Sequence, residues 1–279
     1  MATLYEMLVS GGSAALPTPT RATTTSGPMG EQRIAAIFDL DGTLVQTEEL
    51  KALSYARAAT ELAPGVAREQ DIIAAYNEMV GRSREDVAAA LLTRFGLGPE
   101  AARRMGELGA ATPLDAYLTL RLRIYEAMIA DEGLIRKQEY PWSTSLLRES
   151  RRAGHPVGVA TMSHRKHAVL VLERLGLTGE VDVLVTREDV RDAKPSPEIY
   201  ELIGTLLGVP PRDCFVLEDS VPGVQSAIAA GMICVAITND LTRDAMHAAK
   251  LLSPERVVDD PSQLGAVARG VFEDLAKPR

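Results

Sequence analysis

From residue 157 onward, short apolar runs alternate with longer stretches of helical spacing. Residues 157–160, 181–185, 214–217 and 233–237 have the length and apolar content of buried strands. Between them, 164–175 (ended by Gly176), 196–207 and 221–230 carry apolar residues at helical intervals. An earlier apolar run, 34–38, breaks off into acidic residues and glycine. This alternation predicts an α/β fold, a Rossmann-like parallel sheet with helices on both faces.

Between residues 47 and 138 the pattern changes to Ala, Leu, Arg and Glu at helical spacing, with no strand-like run. Gly81, Pro99 and Pro113 divide it into four or five helices, of which 112–128 reads as an additional one. The expected division is therefore an α/β core of 31–46 and 140–279, and an inserted all-helical cap of 47–139. The chain crosses between them near 45–49 and 138–141, where a hinge is expected, and Trp142 is expected to be buried there. Residues 1–30, rich in Gly, Pro, Ser and Thr, cannot supply a core and read as a disordered tail. A transit peptide or a true start at Met29 are the alternatives. The location expected is cytoplasmic, or organellar if that tail is a transit peptide.

Composition narrows the function classes. The 279 residues are 46% hydrophobic and 24% charged, with a formal net charge of −8. That acidity argues against nucleic acid or an anionic membrane as partner, because both need a broad basic surface. A small phosphorylated ligand needs only a few local cations and stays open. No apolar stretch has the length of a membrane span. Cys214 and Cys234 share no metal-type spacing and are expected as buried free thiols in a reducing compartment. Oligomeric state is not legible.

Ligands of open parallel sheets sit beyond the carboxyl ends of the strands, so the polar residues there carry the interest. They are Asp39-Leu40-Asp41-Gly42-Thr43, Thr161-Met162-Ser163, Lys194-Pro195-Ser196-Pro197 and Glu218-Asp219-Ser220. Each has a plain structural explanation: a glycine turn, a helix cap, a solvated lysine, another cap. Their joint occurrence in this order does not.

In that order the four motifs resemble the haloacid dehalogenase superfamily of phosphotransferases, over residues 33 to about 265. The surrounding residues, from Phe38 to Leu44 and from Leu217 to Val224, are most similar to its β-phosphoglucomutase-like branch, which carries a helical cap. The resemblance implies a magnesium-dependent phosphohydrolase of a small phosphorylated metabolite, such as a sugar phosphate. A phosphomutase is the alternative, and a non-catalytic phosphate-binding protein a remoter one. It implies Asp39 as nucleophile and Asp41, held protonated, as acid and then base. Asp39, Asp219, the Asp41 carbonyl and Glu218 are implied as Mg²⁺ ligands, Glu218 alternatively as an acceptor behind them. Thr161, the backbone near Met162 and Lys194 would hold the phosphoryl oxygens.

A dehalogenase needs neither metal nor proton donor, so the second carboxylate Asp41 points to phosphate rather than halide. In the cap, Arg82 and Arg84 fall where the branch meets the distal end of its substrate; alternatively Ser83 and Asp86 simply cap a helix there. Lys51 replaces a histidine that couples cap closure to catalysis in the mutases, which favours hydrolysis. His164 reads as a helix-start residue.

Overall fold

The computed structural model describes residues 33–79 and 83–277; the tail 1–30 and the loop residues Gly81 and Arg82 lie outside them. Six strands form one parallel sheet: β1 (Ala35–Phe38), β2 (Val157–Ala160), β3 (Val183–Val185), β4 (Cys214–Glu218), β5 (Ile233–Ile237) and β6 (Val257–Val258). Their spatial order is β3-β2-β1-β4-β5-β6. The chain thus moves outward from β1 on one side and returns to β4 on the other. A crevice opens at such a reversal, at the carboxyl ends of the strands. Phe38 is in register with both Val159 and Leu217, so the residues that follow each strand emerge at one level.

The strands are apolar on both faces because both are covered, as in parallel sheets generally. On one side Phe38, Phe215 and Leu217 pack with the helices α8 (Pro141–Arg152), α9 (Arg165–Arg174) and α13 (Leu264–Leu275). On the other, Ile37 and Val216 pack with α10 (Glu198–Leu207) and α11 (Val221–Ala229). A further helix, α12 (Arg243–Ala249), follows β5. Cys214 and Cys234 are free and buried, and burial pushes the Cys214 thiol up to about 12.

The helical block holds α1 (Thr47–Leu62), α2 (Glu69–Asn77), α3 (Arg84–Arg94), α4 (Gly98–Arg103), α5 (Met105–Leu108), α6 (Pro113–Ala130) and α7 (Glu132–Lys137). These seven described segments exceed the four or five expected, because glycines and the Asp131 cap cut the chain into short pieces. An apolar cluster built from Tyr55, Ala59, Ile72, Leu91 and Tyr117 belongs to this block alone. The stretch 112–128 is indeed helical: Thr112 caps α6 by accepting from the Asp115 N–H, and Pro113 opens it. The chain enters and leaves the block on adjacent backbone. The Gln46 N–H donates to the Gln138 carbonyl at 2.8 Å, and the Tyr140 N–H to the Leu44 carbonyl at 2.9 Å.

Two expectations fail locally. Trp142 is 53% exposed: α8 buries Ser143, Thr144, Leu146 and Leu147, leaving Trp142 on its outer face. The third strand starts at Val183 rather than 181. The Asp182 carboxylate there turns back to accept from the Val157 N–H and Arg151.

Candidate active site

Four strand ends converge on a cavity of about 650 Å³ lined by Asp39, Asp41, Thr161, Met162, Lys194 and Asp219, among others. Asp39 follows β1 directly, and its N–H stays in the sheet by donating to the Leu217 carbonyl at 3.0 Å. Its carboxylate is buried. Lys194 lies on the loop before α10 and is buried beside it, with Nζ 2.6 Å from Asp39 Oδ1 and 2.6 Å from Glu218 Oε1. A third donation, at 3.0 Å, goes to the Ala160 carbonyl. A charged amine held by two carboxylates is no solvated surface lysine.

The two residues that end β4 behave differently. Glu218 is fully enclosed: Oε1 accepts from Lys194 and from the Tyr200 hydroxyl at 2.8 Å. Its Oε2 accepts from the Asp219 and Ser220 N–H groups and the Ser220 hydroxyl. Asp219 keeps looser partners, accepting from the Asn239 amide at 3.1 Å and from the Thr43 hydroxyl at 3.3 Å. Two glycines give these carboxylates room. Gly42, at a φ of +90°, would put a side-chain carbon 2.2 Å from Asp219 Oδ2. A carbon at Gly223 would lie 1.9 Å from Glu218 Oε1.

Carboxylate oxygens of Asp39, Glu218 and Asp219 lie within 4.8 Å of one another. Such crowding of buried acids disfavours their ionised forms. Burial, opposed by Lys194 and reinforced by Glu218 and Asp41, raises Asp39 to about 7. Burial, then Glu218 and Asp39, raise Asp219 well above the ordinary carboxylate range. A hard divalent cation would relieve this repulsion and matches an all-oxygen donor set. The residues present therefore fit a divalent metal.

Asp41 faces the same cavity but is surrounded by donors. The Thr47 hydroxyl reaches Oδ1, and the Ser163 and Thr161 hydroxyls reach Oδ2 at 2.6 and 3.1 Å. Lys51 Nζ is 3.3 Å from Oδ1. Burial alone would raise this carboxyl, yet Lys51 and the three hydroxyls outweigh it and hold Asp41 at about 2. The expectation of a protonated Asp41 is thus not met in this arrangement, because a cation from α1 sits against it.

Other expected residues separate by position. Lys51 is in place and is also bonded to Glu48 Oε1 at 2.7 Å. Met162 lines the cavity, and the neighbouring Ser163 N–H is taken by the Thr161 hydroxyl at 3.0 Å. Arg84 lies in an adjoining cleft rather than in the Asp39 cavity. Ser83 caps α3 through the Asp86 N–H. His164 pairs with Glu188 at 2.7 Å, away from Asp39. Arg82 lies outside the described residues. Sequence reasoning gave no role to Thr47, Ser163, Tyr200 or Asn239. Asn239 had a usable signal, as the polar residue just beyond the fifth strand end; the partner of Tyr200 depends on helix placement and had none.

Comparison with known proteins agrees with this geometry. The family model of the haloacid dehalogenase-like hydrolases matches residues 35–231. Validoxylamine A 7'-phosphate phosphatase of Streptomyces hygroscopicus subsp. limoneus is 30% identical over 78% of this chain and 91% of its own. Protein CbbY of Cereibacter sphaeroides is 30% identical over 84% of this chain and 95% of its own. Among solved structures, CbbY from Rhodobacter sphaeroides in complex with phosphate superposes with a TM-score of 0.60 at 26% identity, covering 84% of this chain and 97% of that one. The β-phosphoglucomutase of Clostridium difficile shares the fold with a TM-score of 0.61 at 21% identity, covering 88% of this chain and 100% of that one. With a parallel sheet of this order, an acidic cluster at its reversal and a family match over most of its length, the chain belongs to the haloacid dehalogenase-like hydrolases.

Proposed function

We propose that this enzyme is a magnesium-dependent phosphohydrolase that transfers the phosphoryl group of a small metabolite, a sugar phosphate in the first instance, onto Asp39. The observation that carries the reading is the buried Asp39 carboxylate held at 2.6 Å by Lys194, with Asp41 and Asp219 facing the same cavity. Phosphatases among the relatives support the same chemistry. Asp39, Asp219 and the Asp41 backbone would hold the metal, whose charge would offset the repulsion between a carboxylate and a phosphate ester. Glu218 is the weaker ligand of the set, since both its oxygens are already saturated by donors. Its role is to fix Lys194.

The residues divide the work as follows. An Asp39 oxygen bonds to phosphorus as the bond from phosphorus to the alcohol oxygen breaks. Lys194, the Thr161 hydroxyl and the backbone near Met162 bind the equatorial oxygens. The departing alcohol takes a proton from Asp41. For that, the negative charge of a bound phosphoryl group, or withdrawal of Lys51, must first raise Asp41. Water then attacks the aspartyl-phosphate, Asp41 accepts its proton, and phosphate leaves. An ionised Asp41 is the form this second half needs. We read residues 47–139 as the cap over this site, hinged where Val45 and Glu139 form an isolated antiparallel bridge.

The test is a panel of phosphate esters with and without magnesium. Free phosphate released only with the metal, and lost on chelation, is the expected result. Isomerisation of a hexose phosphate without phosphate release would overturn it in favour of the mutase.

A further inference from the structure

The loop that follows β5 carries an asparagine that the chemistry above does not use. Asn239 lies two residues beyond Ile237, the last residue of β5, and β5 runs in register with β4, Ala236 opposite Glu218. Its side-chain Nδ2 donates to Asp219 Oδ2 at 3.1 Å. The other end of the amide is committed to the loop, where Oδ1 accepts from the Leu241 N–H at 2.9 Å and the Thr242 N–H at 3.2 Å. Two backbone donors on one amide oxygen leave no choice of orientation: the nitrogen must face Asp219. The loop is itself pinned. The Asn239 N–H donates to the Thr242 hydroxyl at 3.1 Å, and the preceding Thr238 N–H to the Val258 carbonyl of β6 at 3.0 Å.

The turn alone does not explain the residue. Aspartate, serine and threonine close such turns through a side-chain oxygen as asparagine does. Of the four, only asparagine carries an N–H to the far side, and an aspartate would set an acceptor against Asp219 instead. Asp219 has need of that donor. It is buried, and among the described residues its carboxylate has one other hydrogen-bond donor, the Thr43 hydroxyl at a long 3.3 Å. The terminal torsion of an aspartate is broad, and Gly42 puts no side chain against Oδ2. Asn239 is thus the group that limits rotation of this carboxylate. Carboxylates that ligate a metal are fixed by such partners, whose loss costs about 10- to 100-fold in metal affinity.

We infer that Asn239 is a positioning residue that holds the Asp219 carboxylate in the orientation in which it takes the divalent cation, and so sets the affinity of the enzyme for its metal. This rests on the reading of Asp219 as a metal ligand and adds to it a residue outside the four motifs.

Manganese tests it, added without substrate to the wild-type enzyme and to Asn239→Ser, with the free ion read by electron paramagnetic resonance. Serine keeps an oxygen for the turn and removes the donor. The dissociation constant for Mn²⁺ should rise about 10- to 100-fold in Asn239→Ser. The metal-free variant should melt where the metal-free wild type does, while the gain in melting temperature from a fixed Mn²⁺ concentration shrinks. In turnover, the Mg²⁺ concentration giving half the maximal rate should rise by the same factor, with kcat at saturating metal within about threefold of wild type. Equal Mn²⁺ affinity in the two proteins overturns the inference. So does a loss of affinity that comes with a lower melting temperature of the metal-free variant, the result of a merely structural asparagine. Asn239→Thr, which keeps the same oxygen, decides the matter if Asn239→Ser does not fold. A wild-type enzyme that binds Mn²⁺ no more tightly than Asp219→Asn removes the metal reading of Asp219 and this inference with it.

Discussion

The α/β core and the helical block contribute to the same cavities in different ways. In the core, Asp39, Thr161 and Asp219 leave the ends of strands, and the parallel register brings them to one level; Lys194 joins them from the loop before α10. A buried chain of hydrogen bonds then fixes the nucleophile: Lys194 donates to Asp39 and to Glu218, and Glu218 accepts in turn from the Tyr200 hydroxyl and two backbone amides. In the helical block, Lys51, Tyr55, Arg84 and Arg121 come from the faces of three helices, and their meeting depends on how those helices pack. The core can therefore keep one chemistry while the block changes the substrate.

The sharpest break between the two is expected at Asp39. Asp39→Asn should lower kcat by at least about 10⁴-fold, as for other nucleophiles, while thermal unfolding shows a retained fold. Lys194→Met should follow. It strands Asp39 and Glu218 side by side in a buried site, so both turnover and stability should fall, the latter by about 3–5 kcal/mol in denaturant titration. Asp41→Ala should cost about 10²- to 10⁴-fold in kcat, with a smaller loss for aryl phosphates, whose leaving groups need no proton. A change in the helical block should cost less: Lys51→Met is expected to alter kcat/KM by about tenfold. A loss as deep as that of Asp39→Asn would erase the distinction between the two regions.

The smallest effect is on stability with pH. Burial lowers the pKa of His155, which stacks on Phe272 in the core at 4.9 Å. Burial likewise lowers His167, which meets Tyr125 of the block. Below the ordinary imidazole value of 6.5 the unfolded chain binds the extra protons, so stability should fall as pH drops from 6.5 towards their folded values. Melting temperature measured at stepwise lower pH should show this decline, and His155→Phe should flatten it.

The same contrast governs what was legible in the sequence. Strand ends announce themselves as apolar runs broken by Asp, Thr or Glu, so the sheet and the polar residues gathered at its carboxyl ends could be read directly, while the roles proposed for them came through the family resemblance. Asn239, just beyond the fifth strand end, obeys the same rule and donates to Asp219. The protonation of Asp41 could not be read, since it depends on Lys51 arriving from another region. Nor could the exposure of Trp142, which turns on which face α8 buries. Arg121 did leave a trace: it interrupts the stripe of Ala116, Tyr117, Leu120, Tyr125 and Met128 that α6 buries. A cation in a buried stripe is visible in sequence, but the rings of Tyr55 and Tyr125 that flank it come from different helices, and only packing brings them together.

The central claim is that phosphoryl transfer passes through Asp39. Acid quenching of the enzyme during turnover of a magnesium-loaded phosphate ester, followed by mass spectrometry of the peptide containing Asp39, tests it most directly. The account predicts a transient gain of one phosphoryl group on Asp39, absent in Asp39→Asn and, with an aryl phosphate whose leaving group needs no proton, accumulating in Asp41→Ala. Phosphate release with no such label, or a label on a different residue, would contradict it.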